Sequence, residues 1–439
     1  MAEEGADQLR RWTADQVLAL APDASSRKAG ARLAAPAPWS GTGTSGSAVW
    51  GLCAGSGGSP YPTVIDMAGP GYKCSCPSRK FPCKHALGLL LLWSGGSVPD
   101  AADRGPDWVT EWLDARRERE ERPAPASAGV ADPAAARQRA ERRAVRVAAG
   151  AAELDRRLAD LLRGGLAGAE REGYGQWDEV AARMVDAQAP GLASRVRELG
   201  AVVGAGGDWP GRLLEEASLL HLLTQGYARQ DRLPEALAAT VRTRVGFTSA
   251  AGTDAVRDRW LVLGRHDAAD DRLTTRRFWL HGLSAGRPAL LLSFGAAGRA
   301  PELTLPVGLC LDADLSYHPG ARPLRAALGP AYGAPSPGTV PPGTAVGPAL
   351  SSYGAALADD PWLDAWPVVL TGVVPIPAPT GWQLADADGV DALPLAARAT
   401  PWQLAAVSGG HPVTVFGELG HRGFQPFTVW GADGVALPL

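Results

Sequence analysis

The sequence predicts an α+β chain of several domains. A small cysteine-rich N-terminal module precedes a central helical bundle and a C-terminal antiparallel β-rich domain with a duplicated three-stranded unit. Three observations predict this. Three cysteines and a histidine crowd into residues 74–85, just ahead of an apolar run. Apolar residues recur at helical spacing between 131 and 245, then fall into short runs broken by Gly, Pro and polar turns beyond 246. Near the C-terminus a strand–loop–strand pattern ending in Leu-Pro-Leu occurs twice, at 367–395 and 412–439.

The N-terminal module is assigned to residues 1–115. "TADQVLALAPDASSRKAGARLA" reads as two short helices around a Pro-Asp turn, and "SAVWGLCAGSGGSPYPTVIDM" as two strands joined by a Gly/Ser/Pro loop. "GTGTSG" (Gly41, Gly43, Gly46) matches a dinucleotide-binding glycine pattern literally. It has no strand before it and no helix after it, so it reads as a flexible connection. "DWVTEWLDARREREER" reads as a charged helix, and 116–130 as a linker rich in Pro, Ala and Gly. In the helical domain, 131–245, Leu154, Leu158, Leu161 and Leu162 form one stripe, and Trp177, Val180, Ala181, Met184 and Val185 another. Asp208 is an N-cap with Pro210 in the first turn. In the β-rich domain, 246–439, "RWLVLG", "RRFWLHG" and "PALLLSFG" read as an antiparallel meander. Asp388-Gly389 and Asp433-Gly434 mark matching tight turns in the two repeats, which are expected to build a small barrel or sandwich.

Charge and composition narrow the function. The net charge of −3 supplies no global basic field for nucleic acid, so any basic role must be local. Only four lysines occur, and Lys73, Lys80 and Lys84 lie in or beside the cysteine-rich stretch. The Ala, Gly, Pro and Arg bias is that of a high-GC bacterial genome. The acidic start "MAEEGADQLRRW" lacks an export signal and "ALGLLLLW" is too short to span a bilayer, so the chain reads as cytoplasmic with no membrane partner. The five cysteines are odd in number and sit in a large chain of a reducing compartment, which argues against a disulfide framework.

The stretch "YKCSCPSRKFPCKHALGLLLLW" has the pattern C-x-C-x6-C-x-H. Side chains at i and i+2 of a strand share a face, so Cys74 and Cys76 aim two sulfurs at one point. Pro77 and Pro82 bracket a loop that returns the chain, and Cys83 and His85 then fall at the start of a helix. Three thiolates and one imidazole complete the tetrahedral S/N shell of structural Zn²⁺ and leave no position open for catalytic water. A redox pair normally uses C-x-x-C, which is absent, and buried inert thiols do not suit these polar, Pro-rich flanks. Lys73, Arg79, Lys80 and Lys84 surround the site, and residues 71–85 contain no acid. Part of this charge offsets the thiolates. The remainder, with Phe81 and Tyr72 nearby, forms a candidate patch for nucleic acid or a partner.

These residues resemble the SWIM-type zinc finger, whose pattern is C-x-C-x(n)-C-x-H. "WGLCAGSG", "CSCPSRKFPCKHALGLLLL" and "AARMVDAQAPGLASRVRE" are similar to the bacterial SWIM proteins. The resemblance implies a ββα finger holding zinc through Cys74, Cys76, Cys83 and His85, and a role in DNA binding or protein–protein interaction. It also implies a protein partner, with an AAA+ ATPase of the MoxR type among the candidates.

The other candidates are weaker. Asp312, Asp314 and His318 in "CLDADLSYH" are close in sequence but read as a strand entering a polar loop. His221 reads as a core histidine, Cys53 and Cys310 as core thiols, and the Arg-rich helix from Arg137 to Arg146 as a solvated face; His411 and His421 have no partner spacing. No P-loop, H-E-x-x-H or G-x-S-x-G is present. The reading is therefore a non-enzymatic zinc-binding scaffold or adaptor. The alternative is a DNA-binding accessory protein acting through Lys73, Arg79, Lys80 and Lys84.

Overall fold

The computed structural model describes residues 11–439 apart from 46–47, 56–57, 68–70, 79, 81, 102–104, 122–132, 204–206, 270–272, 297–300, 302 and 380. Helix α1 (Ala14–Ala19) starts at Thr13 with a capping box closed by Gln16, and α2 (Ala24–Ala31) starts at Asp23, whose carboxylate accepts the Ser26 N–H. A four-stranded antiparallel sheet follows in sequence order: β1 (Trp39–Ser45), β2 (Ala48–Cys53), β3 (Tyr61–Asp66) and β4 (Gly71–Cys74). Helices α3 (Lys84–Ser94) and α4 (Asp107–Glu121) complete the module. Helix α4 extends into the first residues of the expected linker, whose remainder, 122–130, lies outside the described residues.

The glycine-rich segment is not the flexible connection expected from its composition. Gly41 and Gly43 lie in edge strand β1, at a register shift between Ser40 and Gly43; Gly46 lies outside the described residues. Gly41 has φ +56°, and a Cβ on Gly43 would come within 2.6 Å of the buried Trp50 ring. Gly43 lets the strand lie flat on that indole. Gly43→Ala is expected to destabilise the module by about 1–3 kcal/mol through overpacking. A denaturant titration checks this: an unchanged midpoint would mean Trp50 moves aside freely.

Helix α3 is the module's axle. From Ala86 to Trp93 every residue is buried, and Trp93 meets Trp12 edge-on at 6.0 Å. Trp12 Nε1 donates to the Pro335 carbonyl (3.2 Å), and Leu309 shares the same core, so the module docks on the β-rich region.

The helical domain contains α5 (Pro133–Gly164), α6 (Ala167–Asp186), α7 (Pro190–Val203), α8 (Trp209–Ala228) and α9 (Glu235–Val245). Leu154, Leu158, Trp177, Val180, Ala181 and Met184 face its core, while Leu162 and Val185 are exposed, so each expected stripe is one residue too wide. Asp208 holds the N-cap position of α8 without a side-chain cap bond.

The β-rich region has two cores. Strands β5 (Ala255–Ala269), β6 (Leu273–Gly282) and β7 (Pro288–Ala296) form the expected meander. Strands β8 (Leu309–Tyr317) and β9 (Arg325–Ala331) close it: β8 pairs antiparallel with β5 and β9, and β9 pairs parallel with β7. The result is a five-stranded barrel, with the short β10 (Ser336–Pro337) also on β8. Trp260, Phe278, Leu280, Leu291 and Leu311 fill it. Arg276, only 2% exposed, closes one end: its Nε and Nη2 each reach Asp267 at 2.8 Å, and Nη1 reaches Thr304 Oγ1 at 3.1 Å.

The second core contains the repeats. Helix α10 (Val346–Asp359) leads into β11 (Trp366–Ala378), β12 (Gly381–Asp386) and β13 (Ala392–Pro394); α11 (Pro401–Ser408) leads into β14 (Val413–Gly420), β15 (Gly423–Trp430) and β16 (Ala436–Pro438). The sheet order β13-β12-β11-β14-β15-β16 joins the two units across β11 and β14. Both Asp-Gly turns match in detail. Gly389 and Gly434 have φ +71° and +72°, and the Val390 and Val435 N–H groups donate to Asp388 and Asp433, each at 3.0 Å. The outer surface of the first barrel packs on this sheet through Leu261, Leu263 and Trp279 against Phe416, Phe427 and Trp430, and Trp279 Nε1 donates to Glu418 (2.8 Å).

Candidate metal centre

Hairpin β3–β4 and helix α3 bring the four expected ligands together. The sulfurs of Cys74, Cys76 and Cys83 and a ring nitrogen of His85 all lie within 4.8 Å of one another. A tetrahedral zinc with Zn–S bonds near 2.3 Å needs ligand atoms about 3.8 Å apart, so a small contraction completes the shell. Cys74 ends β4, whereas Cys76 lies beyond the strand in a bend. The expected i, i+2 alignment along one strand is therefore replaced by a turn that folds Cys76 back. Cys83 is the N-cap of α3, with its sulfur 3.5 Å from the Ala86 N–H, and His85 sits in the first turn. Cys83 and His85 are buried; Cys74 and Cys76 are half-buried.

Neighbours outside the motif order the ligands. Thr63 is paired with Cys74 across the hairpin and donates its hydroxyl to Cys74 Sγ at 3.3 Å. The Tyr61 ring lies 4.9 Å from the His85 ring, fixing the imidazole with Nδ1 towards Cys74 Sγ at 3.6 Å. The Cys74 thiol is drawn down to about 4, chiefly by the Cys83 sulfhydryl and also by His85 and Thr63, against the effect of burial. Cys83 is pushed up by Cys74 and by burial. Cys74 is thus the sulfur most readily deprotonated, and a divalent cation would replace the thiol protons as a coordinating metal does.

The basic residues are not equivalent. Lys73 and Lys84 are exposed, on β4 and at the start of α3. Lys80 is tied to the N-cap of α2, with Nζ 2.6 Å from Asp23 and 3.3 Å from Ser25, and Asp23 is held well below the usual carboxylate range by that contact first. Arg79 and Phe81 lie outside the described residues. Tyr72, expected near the patch, turns into the core instead, because it alternates with Lys73 along β4.

The weaker motifs resolve as structure. Asp312 is held by Arg257 through two 3.1 Å bonds, Asp314 accepts from Tyr332, and the His318 Nδ1–H donates to the Ser249 carbonyl. His221 is exposed rather than in the core, and meets Asp155 at 2.6 Å. Cys53 and Cys310 are buried free thiols, and the Cys74–Cys76–Cys83–His85 group is the metal-type cluster found among the described residues.

Together these features define a structural zinc module of the ββα kind, followed by a helical bundle. Residues 66–93 match the SWIM zinc finger model, and residues 142–245 match the SWIM-associated four-helix bundle domain, which ends with the last residue of α9. The chain therefore carries a SWIM zinc finger and the helical domain associated with it, consistent with the motif and with Zn²⁺ at the four ligands. No curated protein and no solved structure matches it.

Proposed function

We propose that this chain is a non-enzymatic interaction scaffold or adaptor whose zinc ion holds the N-terminal module in shape for a protein partner. The four-ligand cluster carries this reading: a tetrahedral Zn²⁺ held by all four side chains would have no position left for activated water, which suits a structural ion. The SWIM resemblance points to an AAA+ ATPase as the partner class. A cytoplasmic location accords with five free thiols, and no described helix is long and apolar enough to cross a membrane. The test is mild affinity capture of the tagged full chain from its host, alongside a Cys74→Ser variant. An ATPase recovered with the parent chain and lost with the variant is the expected result; equal recovery would separate the partner from the zinc module.

A second reading, a DNA-binding accessory protein, is favoured by the exposed Lys73 and Lys84, which have no carboxylate partner among the described residues. With Lys80 held by Asp23, few cations are left to release counterions, so this binding would be weak and salt-sensitive. Under this reading, Lys73→Ala with Lys84→Ala lowers duplex affinity by about tenfold or more in a shift titration at low salt. Unaltered binding would remove the patch from the account.

A further inference from the structure

The first β barrel has the strand order and pairing sense of the oligonucleotide/oligosaccharide-binding fold. Its ring β5-β6-β7-β9-β8 is antiparallel throughout except for the β7–β9 closure. In that architecture, ligands lie on the outer face of the second and third strands, beside the loop between the fourth and fifth. Here the C-terminal sheet covers part of that face, at Trp279 on β6 and Leu290 on β7. The uncovered part is a cleft of about 290 Å³ between β6, β7, the loop 318–324 and helix α9. Its size is at the lower end for small-ligand sites, and it lies where three units of the fold meet, a common place for them.

The lining chemistry is specific. Arg244, Arg277, Arg322 and Arg325 face this cleft with two carboxylates, Asp360 and Asp364. Arg244 contacts Asp360 at 2.7 Å and Arg277 contacts Glu418 at 2.8 Å, yet the buried Nε of each has no acceptor among the described residues. Among the described residues, the carboxylate paired with Arg322 is that of the half-exposed Asp359, in a surface pair that a ligand can exchange. Arg325 is exposed and has no carboxylate partner among the described residues. The loop is pinned by the Ala321 N–H donating to Thr240 Oγ1 at 2.8 Å, so its arginines are presented from a fixed frame. Because His318 Nδ1–H is spent on Ser249, its Nε2 carries the free lone pair and can accept from a ligand hydroxyl.

We infer that this cleft binds the oxyanion of a phosphate ester, with Arg322 and Arg325 as its principal donors. It is separate from the zinc tip and does not depend on the scaffold reading. Planar guanidinium groups match phosphate oxygens in pairs, and an incoming anion would meet the exposed guanidinium groups of Arg322 and Arg325. Two sources share this chemistry, a free phosphate and a single strand of nucleic acid. The full-length zinc-loaded chain is titrated calorimetrically with inorganic phosphate and with a short oligothymidylate. Three forms are compared: the parent, Arg322→Ala with Arg325→Ala, and Lys73→Ala with Lys84→Ala. At least one probe should bind the parent, lose about tenfold or more affinity with the arginine pair changed, and keep it with the lysine pair changed. Oligothymidylate binding with that signature identifies a strand, and phosphate binding alone identifies a free ester. Binding of neither probe, or equal binding by the arginine variant, overturns the site.

Discussion

Cys74→Ser is expected to lower the metal content from about one zinc per chain to none, and to open the β4–α3 junction while the bundle and the β-rich region stay folded. Zinc binding contributes about 10–16 kcal/mol in minimal fingers, where metal and folding are one event. This module also has its own core around Trp12, Ile65, Leu90 and Trp93, so loss should be local rather than global. Metal analysis reads the first part. Hydrogen exchange reads the second: amides around Cys83 to Leu87 lose protection, and those of the bundle keep theirs. Cys310→Ala is the control, since that buried thiol lies in the barrel–sheet interface and should leave the zinc bound. Purified parent chain without metal would refute the assignment.

Arg276→Ala should destabilise the first barrel by about 3 kcal/mol, the low end for breaking a buried pair, because Asp267 remains partly solvated. The change removes both bonds to Asp267 and the bond to Thr304, and it leaves a gap beside Leu303. Urea unfolding at neutral pH measures it; a shift below about 0.5 kcal/mol, the range of ordinary surface changes, would show that the pair is ornamental. The effect should depend on pH. Burial pushes the Asp267 carboxyl up, but its contact with Arg276 outweighs this and the net shift is downward. A depressed folded value means that the pair stabilises fully above the unfolded carboxylate value of about 3.9. That contribution is lost as pH falls through the lower folded value, so parent and variant should converge in acid.

The zinc ligands were legible because tetrahedral coordination imposes a spacing that sequence displays directly. Their supporting contacts were not, since Thr63 and Tyr61 reach the site through strand register and Asp23 reaches Lys80 from a different helix. The duplicated strands were legible because each copy keeps the same Asp-Gly turn. The helices α10 and α11 ahead of them were less legible: the buried stripe Val346, Ala349, Tyr353 and Ala356 of α10 is written half in alanine, and α11 spans only 8 residues. Barrel closure was invisible for a different reason. The β7–β9 pairing rests on two residue pairs, Leu290 with Arg325 and Leu291 with Ala326, and no local pattern encodes a long-range parallel contact. The glycines of β1 show the opposite hazard. Composition implied flexibility, but each missing side chain makes room for Trp50 or a bulge.

The seam between the two C-terminal units follows a pseudo-two-fold axis. Leu370 and Val415 hold equivalent places in the two copies and are paired with each other, and beside them Thr371 and Thr414 meet hydroxyl to hydroxyl at 3.1 Å. An isologous dimer would make the same self-complementary contact. Here the connection through α11 tethers the halves and turns their encounter into an intramolecular event at millimolar effective concentration. This domain therefore behaves as a covalently fused dimer: its assembly is independent of protein concentration, and a parallel bridge from Leu395, just past β13, to Phe424 on β15 ties the two halves together a second time away from the seam.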